Sequence, residues 1–114
     1  MRKLILSLCL LVALPAHAEF LTGNKLLTLI KSNAENERNF ALGYVAGAFD
    51  TGHGAVHCAP ENVTVGQVTD MVKNLLETTP SQRHKSADQF VNAMLSTTWP
   101  CKKQPTSNSG GRSA

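Results

Sequence analysis

Cys58-Ala59-Pro60-Glu61-Asn62-Val63-Thr64-Val65-Gly66-Gln67 opens the stretch that decides the fold, and Thr98-Trp99-Pro100-Cys101 closes it. Between the two cysteines lie two segments of helical period, divided at Thr79-Pro80. Thr64 and Gln67 have the form of a capping box, in which the hydroxyl accepts from an amide three residues on and the Gln side chain reaches back. Val65, Val68, Val72, Leu75 and Leu76 follow as a core stripe. Thr79-Pro80-Ser81-Gln82 reads as a second capping box with proline at the first helical position. The last helix is therefore expected to begin there, to carry Ala87, Phe90, Val91, Met94 and Leu95 inward, and to stop near Trp99-Pro100. A disulfide between Cys58 and Cys101 would tie the entrance of one helix to the exit of the next.

Upstream, Thr22 is a good N-cap for a short first helix carrying Leu26, Leu27 and Ile30, with a break at Ser32-Asn33. The second helix is expected over residues 34–51, with Phe40, Ala41, Tyr44, Val45, Ala48 and Phe49 on one apolar face. Gly43 and Gly47 lie four apart on it, and each costs about 1 kcal/mol relative to alanine in a helix interior. That pair suggests close approach of another backbone or of the disulfide, so Gly47→Leu is expected to disrupt packing. Asp50 falls near the C-terminus of this helix, where the dipole disfavours a carboxylate. A fixed partner and plain solvation both remain open for it. Residues 52–57 form a loop. No strand is needed, and the expected fold is all-α: a small bundle of about four helices with one disulfide clamping the last two.

At 114 residues the chain is one domain at most. Arg2 and Lys3, an apolar run over residues 4–14, Pro15 and the small-x-small site Ala16-His17-Ala18 have the layout of a secretory signal peptide cleaved after Ala18. The domain is then residues 19–101, and residues 102–114 form a polar, Ser- and Gly-rich flexible tail. Loss of Arg2 and Lys3 lowers the net charge from +3 to +1. Nucleic acid and anionic membrane surfaces thereby lose their electrostatic argument. The apolar run is too short to span a bilayer, so membrane insertion is not expected. Cys9 leaves with the leader and is poorly placed for a lipid anchor. An exported chain with two remaining cysteines most simply forms one disulfide, and zinc is disfavoured without a second pair of ligands.

Candidate chemistry is sparse. His53 and His57 are four apart, a spacing that could bind a metal on a helix, but Gly52 and Gly54 flank His53 and no acidic ligand completes a site. A catalytic pair of Cys58 with His57 or His84 would need a free thiol in an oxidising compartment. Asn62-Val63-Thr64 matches a glycosylation sequon, relevant only to a eukaryotic secretory pathway. No phosphate loop, nucleophile elbow or cofactor pattern stands out. An exported binder is expected rather than an enzyme, with no catalytic residue, metal or cofactor.

Leu42-Gly43-Tyr44-Val45-Ala46-Gly47, Asp50, Cys58-Ala59-Pro60, Thr64, Gln67, Pro80, Arg83-His84, Ala87 and Trp99-Pro100-Cys101, in that order, resemble the Rap/Tai family over residues 21–101. These are periplasmic immunity proteins of bacterial type VI secretion systems. The resemblance implies a compact all-α protein, often a homodimer, that neutralises a peptidoglycan-cleaving amidase. It also implies that Cys58 and Cys101 occupy the family's disulfide positions. Members often carry a second cysteine pair around the first two helices. Residues 30–41 have none here, which leaves the first helix without that attachment. The 52–57 loop, anchored at Cys58, is the first candidate for contacting a wall hydrolase, with Asp50, His53, His57 and Glu61 as candidate partner-binding residues. The exposed face of the fourth helix comes next. The alternative is a periplasmic acid-stress chaperone of the HdeA type, also small, helical and held by one disulfide, although the N-terminal cysteine placement of that type is missing.

Overall fold

The structure, a computed structural model, describes residues 21–102. The expected leader and the tail beyond Lys102 lie outside those residues. Four α-helices make up the described part: α1 (Gly23–Ile30), α2 (Glu35–Gly52), α3 (Val65–Thr78) and α4 (Ala87–Thr98). A single 3-10 turn, Pro80–Gln82, stands between α3 and α4, and no strand is formed among the described residues. The core draws on every helix: Leu26 and Leu29 from α1, Ala41 and Val45 from α2, Val68, Val72 and Leu76 from α3, Ala87, Phe90, Val91, Met94 and Leu95 from α4. The all-α bundle expected from the sequence is what forms.

Two of the starts are capped by the threonine hydroxyls that the sequence implies, while the return bond from the Gln67 side chain is not formed among the described residues. Thr22 Oγ1 accepts from Lys25 N at 3.2 Å, and Thr64 Oγ1 accepts from Gln67 N at 3.1 Å. Each satisfies one of the amides that a helix leaves without an internal partner. At α2 the cap residue is Ala34, which has no side chain for the task. Ser32 replaces it from two residues upstream: its Oγ accepts from Ala34 N and donates to Glu37, while Arg38 Nη1 donates to its carbonyl at 2.8 Å.

The last helix departs from the expectation. It begins at Ala87, not at Pro80, and Thr79 makes no side-chain cap. Thr79 Oγ1 instead donates back to Leu75 O at 2.8 Å. The reason lies in α1. Gly23 N donates to Lys85 O at 2.9 Å, Asn24 N to Arg83 O at 2.8 Å, and Ala87 N to Leu21 O at 2.7 Å. The carbonyls of residues 83 and 85 are therefore turned towards α1 and cannot belong to a continuing helix. The two N-termini cap one another through their backbones. α1, which lacks a cysteine pair, is attached by this clasp and by its buried leucines.

The clasp also places the glycine that packing requires. A Cβ on Gly23 would lie 2.9 Å from Phe90 Cε2 and 3.0 Å from Arg83 O. On Gly43 or Gly47 a Cβ would meet nothing within 4 Å. The expected close approach at those two positions is absent among the described residues, and Gly47 faces open space. The apolar stripes also narrow: Phe40 is 57% exposed and Val65 42% exposed, so neither belongs to the core. Tyr44 is half-buried against α4. Burial pushes its phenol above the usual value and the Asp88 carboxylate adds to the shift, so it stays protonated at neutral pH.

Cys58 and Cys101 are joined, with their Cα atoms 4.8 Å apart. Beside the bond, Cys58 N donates to Trp99 O at 2.8 Å. The bridge closes a loop long enough to contribute roughly 4 kcal/mol in the chain-entropy picture. Cys58→Ser is expected to cost about 2–5 kcal/mol, read as a large fall in melting temperature. Gly47→Ala should raise stability by about 0.5–1 kcal/mol, whereas Gly23→Ala should lower it by about 1–3 kcal/mol. Urea denaturation of the two variants side by side checks both signs.

Candidate functional site

The 52–57 loop is built on the end of α2. Three amides converge on the Gly52 carbonyl: Ala55 N at 3.0 Å, Val56 N at 2.7 Å and His57 N at 3.2 Å. Gly54 N returns to His57 O at 2.7 Å, and Gly54 takes φ +84°, a conformation that glycine adopts without strain. Gly52 is constrained too, since a Cβ there would lie 3.1 Å from Val56 Cβ. Ala55 and Val56 remain exposed at the tip.

His57 pins this loop from beneath. Its side chain is fully buried. Its Nε2–H donates to Phe49 O at 2.9 Å, one of the last-turn carbonyls of α2, and its Nδ1 accepts from Ala59 N at 3.2 Å. Those two bonds assign the neutral Nε2–H tautomer. His53 lies above it, with Nε2 3.2 Å from Ala59 O. The rings of His53 and His57 are 5.3 Å apart and nearly perpendicular, and the Phe49 ring is 4.5 Å from that of His57. Both imidazoles face carbonyl oxygens through Nε2. No group of three or more His, Cys, Asp or Glu among the described residues is placed to hold a metal ion.

The candidate residues therefore divide. Asp50, His53 and Glu61 are exposed on this end of the bundle, whereas His57 is interior. Its part is structural: it holds the exposed tip in one conformation. His84 lies in the turn before α4, away from this group. Asp50 has no hydrogen-bond or ion-pair partner among the described residues. It stands at the rim of a cavity of about 130 Å³ whose walls are Ala46, Phe49, Val63, Val65 and Val68. Sequence reading assigned Phe49 and Val65 to the core stripes and so missed this groove between α2 and α3. An apolar residue at the outer margin of each of two neighbouring helices was the signal that could have found it.

A family model described as Rap1a immunity proteins matches residues 22–101. No curated protein matches the chain. No helix among the described residues is long and apolar enough to cross a membrane.

His57→Ala removes an acceptor from one buried backbone amide and a donor from one helix-end carbonyl, and leaves a cavity. A loss of about 2–4 kcal/mol is expected, with faster hydrogen exchange at the amides of residues 55–59. His53→Ala, at an exposed position, should cost less than about 1 kcal/mol. Equal effects of the two would show that His57 is not the pin.

Proposed function

Because the chain belongs to the Rap1a immunity protein family, we propose that it is a periplasmic immunity protein that binds and inhibits a peptidoglycan-cleaving amidase delivered by a type VI secretion system. The observation that carries the reading is the tip at Ala55 and Val56, exposed and yet held by three amides on one carbonyl, by the buried His57 and by the neighbouring disulfide. An inhibitor that blocks a cleft has to present a shape that the enzyme does not reshape. Loops fixed by a scaffold bind with little ordering cost. The small apolar tip suits insertion into a cleft, and Asp50, His53 and Glu61, close to it in the chain, are exposed.

Inhibition of this kind is binding without turnover. The protein supplies no nucleophile, metal or cofactor to the proposed complex; its contribution is occupancy of the enzyme's cleft. Export by the leader, oxidation of Cys58 and Cys101 and the homodimer implied by the family resemblance belong to the same proposal.

The test is a mixing experiment with the secreted wall hydrolase encoded beside this gene. Equimolar oxidised protein is expected to abolish cleavage of purified peptidoglycan, and Val56→Asp at the tip is expected to weaken the inhibition by at least roughly tenfold, as for a central interface residue. Failure of the oxidised protein to bind that hydrolase would overturn the proposal.

A further inference from the structure

The groove beside the loop has a shape and a charge of its own. Its volume of about 130 Å³ is well below the several hundred typical of small-molecule sites, and suits a single inserted side chain. The floor is Val68, which is fully buried, and the walls are Ala46, Phe49, Val63 and Val65. Among the described residues, Asp50 is the one charged group at its rim. Val65, at 42% exposure, is a large apolar side chain left open at the same mouth.

The charge pattern extends beyond that rim. Residues 39–72, which form most of α2, the loop, the connection and the first half of α3, contain Asp50, Glu61 and Asp70 and no Lys or Arg. The expected mature chain is nevertheless slightly basic, so its cations lie elsewhere in the sequence. Arg38 and Lys73 flank this stretch in the sequence, and Lys102 adjoins the disulfide. The N-terminus of α3 forms one wall through Thr64 and Val65 and opposes a cation there. Its partial charge is smaller than that of a full carboxylate, and one of its amides is already taken by Thr64 Oγ1.

We infer that the groove between α2 and α3 receives a lysine or arginine side chain of the amidase. Its methylenes would lie on Phe49, Val63, Val65 and Val68, and its cation on the Asp50 carboxylate. An apolar stem with a charged head matches apolar walls with one charged rim. A guanidinium passing the Phe49 ring would gain a further attraction. This inference rests on the immunity reading for the identity of the partner, but not for the chemistry of the groove.

Two experiments separate those layers. In the first, the oxidised protein is titrated with n-butylguanidinium, and with n-butanol as control, while amide and methyl resonances are followed by NMR. Shifts confined to Ala46, Val63, Val65 and Val68, weaker with n-butanol and lost in Asp50→Asn, are expected. Equal shifts with n-butanol, persistence in Asp50→Asn, or no shift would each overturn the inference. In the second, Asp50→Lys is tested against the amidase and should raise the concentration needed for half-inhibition at least roughly tenfold, most strongly at low salt. Wild-type inhibition by that variant would overturn the groove's role and leave the immunity reading standing. Failure of the wild-type protein to bind the amidase would remove the immunity reading, and the first experiment alone would then decide the groove's chemistry. Self-association in sedimentation that Asp50→Lys abolishes would identify a second copy as the occupant and overturn the assignment to the amidase.

Discussion

The covalent bond between Cys58 and Cys101 joins two segments that lie outside any helix. Neither has a ladder of hydrogen bonds to hold it, and each is a connection that would otherwise fray. Once joined, Cys58 N reaches Trp99 O, the chain leaving the 52–57 loop is fixed, and Ala59 is presented to both imidazoles. The loop, its buried pin and the groove alongside depend on that closure. A bundle this small has little core to spare for holding irregular backbone in place. The cross-link limits the freedom of the unfolded chain, so the stiffness of this end does not have to come from hydrophobic burial alone.

Much of the architecture was legible because it depends on local chemistry. Thr22 and Thr64 announce their helices, and the inward residues of α4 follow the helical repeat from Ala87 to Leu95. The errors arise where a partner distant in sequence decides. Thr79-Pro80 has a good local start signal, yet α1 draws the carbonyls of residues 83 and 85 away from the helix that this signal would begin. Gly43 and Gly47 have the spacing of a packing motif, but among the described residues nothing lies within 4 Å of where their Cβ atoms would be; Gly23, which is tightly enclosed, has no distinguishing pattern. Phe40 and Val65 satisfy helical periodicity but lie beyond the width of the buried face.

The candidate site was half legible for a related reason. The position of the loop follows from its glycines and from Cys58. The separate roles of two histidines four residues apart do not, because one turn of φ +84° at Gly54 folds His57 back under α2 while His53 stays at the surface. Asp50 was singled out for an awkward position at a helix end. Its setting makes it the charged rim of an apolar groove, a property shared between two helices that no single stretch of sequence contains.

The reciprocal capping of α1 and α4 has a consequence for folding kinetics. Residues 21–24 find their backbone partners only at residues 83–87, and Cys58 finds its own only at Cys101. As the chain emerges from its N-terminus, α1 and α2 can pack against one another through Leu26, Leu29, Ala41 and Val45, but neither of these closures can form. Both closures pair distant positions, so the ordering entropy is spent before either contact rewards it. The native bundle is therefore completed only at the end of emergence, when α4 and Cys101 arrive.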